Sequence, residues 1–140
     1  MQVTLEDYFA QHRVGHESEC TPAVIEAATE TVLRHNLLLA AMVADGVSMT
    51  VNPITKTMYS SGWRPEAVNA GTLGAAIHST HITGFGGDLY DPLGHLDAWC
   101  MDNQDKLAEI GLWLEHPDST PHWCHTDRRL RINRVFRIKS

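Results

Sequence analysis

A single α+β domain is what this sequence predicts, and three observations carry the prediction. Helical periodicity fills two stretches, residues 22–45 and 93–116. Short strand-like runs bounded by Gly, Pro and Asn lie between and after them. Internal repeats, linkers and low-complexity segments are absent from the 140 residues, which suffice for one core. The arrangement expected is a small antiparallel sheet packed with two long helices.

In chain order, Thr4 with Asp7 three residues on fits a capping box opening a short helix to about residue 11. Residues 11–20 are polar and irregular. Thr21-Pro22 reads as N-cap and first residue of a long helix ending near Asp45-Gly46. Val24, Ile25, Ala28, Val32, Leu33, Leu37, Leu38 and Ala41 form its expected buried stripe. His35 and Asn36 interrupt that stripe, so His35 reads as a surface or edge histidine without a role.

Residues 47–51 alternate, 52–56 form a turn and 57–62 resume strand composition, which predicts a hairpin. Residues 65–69 read as a helical turn and 71–78 as a loop. Residues 85–90 form a buried strand closed by Asp91-Pro92. Leu96, Trp99, Cys100, Leu107, Ile110, Leu112, Trp113 and Leu114 give 93–116 its apolar side, with polar residues 101–105 as a potential break. A short strand follows over 122–126. The tail 128–139 mixes apolar residues with Arg128, Arg129, Arg131, Arg134, Arg137 and Lys139, and reads as a terminal strand with one solvated face.

Composition narrows the function. Hydrophobic residues are 43%, charged residues 20% and net charge −6, a globular balance that suggests no affinity for nucleic acid or anionic membrane. No apolar run approaches the ~18 residues that span a bilayer. The first residues are acidic and lack a signal peptide's basic start and apolar run, so synthesis in the cytoplasm without a signal peptide is expected. Cys20, Cys100 and Cys124 form no CxxC pair, which predicts reduced thiols.

Chemistry concentrates in two places. Residues 79–88 place His81 and Asp88 seven apart, with Gly84, Gly86 and Gly87 between them. An aspartate in an apolar strand is costly to bury unpaired, and a metal cation removes that cost. The glycines let the backbone curl so that both side chains face one point. A third ligand is sought in residues 121–127, where His122, Cys124 and His125 are the candidates. His125 is preferred, because His122 then lies three residues earlier as a proton acceptor. Cys124 alternates to the opposite strand face and reads as core. Three ligands leave one position on the ion open, which is the mark of a catalytic zinc.

The pattern Ser79-x-His81-x-x-Gly84-x-Gly86-x-Asp88, followed far downstream by His122-x-x-His125, resembles the zinc D-alanyl-D-alanine carboxypeptidases and L-alanyl-D-glutamate endopeptidases. This family shares its fold with the hedgehog signalling domain and includes phage endolysins. The resemblance runs from about residue 47 to 127 and takes in Ser61-Gly62-Trp63-Arg64-Pro65 with Val68-Asn69. Gly86 stands where the family usually has alanine, and His122 where many relatives carry glutamate.

The resemblance implies a hedgehog/DD-peptidase-like fold with Zn2+ held by His81, Asp88 and His125. It implies Arg64 as the group that polarises the scissile carbonyl and His122 as the base, with Glu115 and Asp118 in reserve. Ser79 is placed at the pocket wall, and Tyr59, Trp63 and Trp123 are cleft candidates, with buried core the preferred reading for any one of them. Asp127 either orients a ligand histidine or pairs with Arg128 or Arg129. The function implied is zinc-dependent hydrolysis of peptidoglycan stem peptides by a monomeric phage endolysin or virion wall-degrading enzyme. That enzyme would act on the cell wall after release or as part of a virion. The rivals are a dipeptidase acting on small D-Ala-D-Ala compounds and a non-catalytic zinc-containing binding module.

Overall fold

The computed structural model describes residues 2–72, 75–76 and 78–138. Leu73, Gly74 and Ile77 of the expected loop, and Lys139 of the tail, lie outside the described residues. Helix α1, Leu5–Phe9, opens on the predicted capping box: Thr4 Oγ1 accepts the Asp7 N–H and Asp7 Oδ2 accepts the Thr4 N–H, both at 3.0 Å. Helix α2, Pro22–Ala44, runs 23 residues from the Thr21 cap. Its buried face is Ala28, Thr31, Val32, His35, Leu38, Leu39 and Met42, a line at three- and four-residue spacing on which His35 sits centrally. Leu33 and Leu37 face solvent, and His35 is buried rather than a surface histidine.

Five strands follow among the described residues: β1 Tyr59–Ser61, β2 Gly86–Tyr90, β3 Trp113–Glu115, β4 Trp123–Asp127 and β5 Val135–Phe136. They form one sheet in the order β1-β2-β4-β3-β5. The pairs β1/β2, β2/β4 and β3/β4 are antiparallel, but β3/β5 is parallel, so the sheet is mixed rather than antiparallel. Backbone bonds from Leu114 N–H to Arg134 O and from His116 N–H to Phe136 O, 2.9 and 2.7 Å, hold the tail in that direction.

Two predicted elements change form. The 47–51 run makes no strand; Asn52 Oδ1 takes the Ile54 N–H at 2.8 Å and Thr55 Oγ1 donates to Tyr59 O at 2.7 Å, so β1 pairs with β2 instead of forming a hairpin. The 93–116 stretch divides into α5, His95–Asp102, and α6, Gln104–Ile110, then turns into β3. Asn103 leaves helical geometry between α5 and α6, its side chain bonded to Trp99 O, and left-handed Gly111 ends α6. Among the described residues one long helix is therefore present, not two. Two short helices, α3 Glu66–Ala70 and α4 Thr80–Thr83, complete the α+β fold.

The two faces of the sheet have different fates. Leu89, Cys124 and Thr126 face α2 and α5, where Tyr8, Phe9, Tyr59, Trp63, Leu38, Met42 and Cys100 complete the core. The opposite face carries Gly86, Asp88, Trp123, His125 and Asp127.

Candidate metal centre

Strand pairing brings two of the expected ligands together. Asp88 on β2 lies directly across from His125 on β4, so their side chains leave the same face. Asp88 Oδ1 and His125 Nδ1 stand 2.7 Å apart. His81 arrives from α4, which Ser79 caps by accepting the His81 N–H at 3.1 Å. Gly84 ends this helix at φ +82, where a Cβ would stand 2.8 Å from Val24 O of α2. That close approach packs α4 against α2 and sets His81 Nε2 3.3 Å from Asp88 Oδ2.

Both imidazoles are held from behind. His81 Nδ1–H donates to Gly62 O at 2.7 Å, which turns Nε2 toward Asp88. His125 Nε2–H donates to Asp127 Oδ2 at 2.8 Å, which turns Nδ1 toward Asp88. One donor atom from each of His81, Asp88 and His125 lies within 4.8 Å of the others. A tetrahedral zinc with bonds of about 2.1 Å holds its ligand atoms about 3.4 Å apart, so this group can hold a metal ion.

Electrostatics fit a cation. Burial raises the Asp88 pKa, but His81 and His125 outweigh it and hold the carboxyl well below its usual range. Burial lowers the His125 pKa, yet the carboxylates of Asp127 and Asp88 push it up to about 10. An imidazolium between two carboxylates thus carries positive charge where a divalent ion would carry more.

The centre opens on a cleft of about 660 Å³ lined by Arg64, Ser79, Glu115, Trp123 and Arg129 among others. Arg64 is anchored through its backbone N–H to His81 O at 3.1 Å, and its buried Nε has no hydrogen-bond partner among the described residues. Burial pushes the Glu115 carboxyl pKa up, the direction that suits a proton carrier at neutral pH.

Other expected residues lie elsewhere. His122 takes φ +74 just before β4, its Nδ1 3.3 Å from Pro92 O, and lines a separate concavity with Leu93, Met101 and Pro121. It is not in the cleft: β4 begins only at Trp123, and the left-handed backbone at His122 breaks the strand path before the face that carries His125. Asp118 is exposed and paired with Arg137. Tyr59 and Trp63, each 1% exposed, are core: the Tyr59 hydroxyl bonds His35 Nδ1 at 2.7 Å and Trp63 Nε1–H donates to Ile82 O at 3.1 Å. Ser79 and Trp123 do line the cleft. Asp127 orients His125 and pairs with Arg131 rather than with Arg128 or with the guanidinium of Arg129. Thr80, whose Oγ1 reaches Asp127 Oδ2 at 3.3 Å, and Arg131 escaped the sequence reading. Neither sits on the strand that carries Asp127, so no local pattern signalled them.

Comparisons with known protein families, with curated proteins and with solved structures return no match for this chain.

Proposed function

We propose that this chain is a zinc-dependent peptidase of the hedgehog/DD-peptidase fold that hydrolyses peptidoglycan stem peptides. The observation that carries the reading is the convergence of His81 Nε2, Asp88 and His125 Nδ1 at the floor of an open cleft, beside an arginine with an unpaired buried N–H. The motif order Ser79, His81, Gly84, Asp88, His125 adds the resemblance to D-alanyl-D-alanine carboxypeptidases and L-alanyl-D-glutamate endopeptidases, and with it the phage lytic setting.

The two-histidine, one-carboxylate donor set suits zinc, which when bound would acidify water and polarise the substrate carbonyl. Arg64 then holds the oxygen on which negative charge develops, a contribution of about 3–4 kcal/mol for one such donor. Glu115 replaces His122 as the base: it takes the proton from the attacking water and returns it to the leaving amine. Ser79 and Arg129 at the wall offer hydroxyl and guanidinium groups to the polar ends of the peptide.

The test is peptide release from purified peptidoglycan, followed by mass spectrometry, with chelator and with zinc added back. Chelator-sensitive fragments are expected, and the new termini name the bond. Absence of fragments from a zinc-loaded sample overturns the lytic reading. A non-catalytic zinc-containing binding module is the second reading, favoured by the position of His122 away from the cleft. Glu115→Gln separates the two, since an enzyme loses turnover while keeping its zinc and a binding module has no turnover to lose.

A further inference from the structure

The basic tail is largely solvated, with Leu130 and Ile132 exposed rather than on a buried strand side, but Arg131 and Phe136 pack back onto the metal centre. Arg131 Nη1 pairs with Asp127 Oδ1, while its guanidinium carbon sits 3.3 Å from the centroid of the Phe136 ring. Asp127 is fully buried, and its other oxygen accepts from His125 Nε2 at 2.8 Å. Phe136 closes the loop of contacts, its ring edge-on to His125 at 6.2 Å between centroids. Cation, carboxylate and imidazole are thus linked in series, and the aromatic ring touches both ends of the series.

Each link needs the next. A buried carboxylate costs heavily without a cation or several donors. Apart from Arg131, the donors to Asp127 are the Arg129 N–H at 3.2 Å on Oδ1, and His125 and Thr80 on Oδ2. Among the described residues, Arg131 is therefore the only side chain that fixes the Oδ1 end and so stops the carboxylate from rotating. If the carboxylate rotates, His125 loses the acceptor that fixes its ring plane. The Phe136 ring in turn keeps the guanidinium flat and half-screened from water.

We propose that Arg131 is a positioning residue for the metal centre: through Asp127 it holds His125 with Nδ1 aimed at the ion, so the C-terminal segment sets metal affinity. The inference rests on the metal-centre reading. Arg134 supplies the internal control, because it anchors the same segment without touching Asp127. Its Nη1–H donates to Leu112 O at 2.9 Å and its guanidinium stacks 4.2 Å over Trp113.

The experiment measures the zinc dissociation constant by competition with a chromophoric chelator, and the visible spectrum of the Co2+-loaded protein, for wild type, Arg131→Met, Arg131→Lys and Arg134→Met. Loss of a group that orients a ligand costs about 10–100-fold in metal affinity, and that is expected for Arg131→Met together with altered Co2+ bands. Arg131→Lys, which keeps the charge, is expected to recover most of the affinity. Arg134→Met is expected to match wild type in both readouts. Wild-type affinity and spectrum in Arg131→Met overturn the inference, as does an equal loss in Arg134→Met. Should Arg131→Met fail to fold, a Lys variant no better than Arg131→Gln overturns it instead. A wild-type protein that binds neither metal overturns the metal-centre reading itself, and this inference with it.

Discussion

His35 makes the stability of the metal-free protein depend on acid, and the size of the effect can be worked out. The ring is fully buried on α2, with Nδ1 2.7 Å from the Tyr59 hydroxyl and Nε2 3.0 Å from Thr126 Oγ1. Burial pushes its pKa down to about 4, helped by positive charge on His125 and opposed by Asp88. The unfolded chain takes up the proton near pH 6.5, so between about 6.5 and 4 it binds more protons than the folded chain. Stability from neutral His35 is complete above that window and is lost as pH falls through it, at up to about 1.4 kcal/mol per pH unit. Over the whole window the loss is about 3 kcal/mol. Urea unfolding followed by tryptophan fluorescence, in chelator, at steps from pH 7 to 4, measures it in wild type and in His35→Gln. Glutamine can still bond both hydroxyls but does not titrate, so the variant is expected to be flatter across this window by roughly the whole amount. Equal slopes for the two proteins would refute the reasoning and show that His35 is already charged, or reached by water, in the folded state.

Three further outcomes are expected. Gly86→Ala places a Cβ 2.4 Å from Thr80 Oγ1 and 2.6 Å from Asp127 Cβ, so thermal unfolding should report a loss of about 1–3 kcal/mol, partly returned by Thr80→Ala. Arg64→Met should lower kcat/KM on stem peptide by about 100- to 1000-fold while zinc stoichiometry stays at wild type; a change in metal content instead would place Arg64 in the fold rather than in the chemistry. His122→Ala should keep turnover within about twofold, whereas Glu115→Gln should lose about 100- to 10,000-fold; the reverse pattern would return the base to His122.

Much of the centre was legible because it depends on local chemistry. The capping box at Thr4, the Thr21-Pro22 start of α2, the strand carrying Asp88 and the core face of Cys124 all follow from short patterns, and the structure has them. His122 stands just before β4 at φ +74, so the helix-like spacing of three that made it a base holds neither there nor in the strand that carries His125. His35 misled for a related reason. A histidine looks like a break in an apolar stripe, yet Tyr59 and Thr126, 24 and 91 residues away, supply the two partners that let it be buried.

The amino-acid order alone determined which side chains could ligate a metal and that Asp88 and His125 would sit on strands, since donor chemistry, glycine spacing and alternation are properties of a few consecutive residues; the helix that carries His81, read as a glycine-rich turn, was not legible. Only the tertiary structure decided what surrounds them. The β2–β4 register set Asp88 opposite His125, the fold of α4 onto α2 aimed His81, and the pairing of β3 with β4 brought Glu115 to the cleft. Those pairings join residues far apart in the chain. Their choice rests on which arrangement buries the apolar face and partners most buried polar groups, a property of the whole packed molecule and of no single segment.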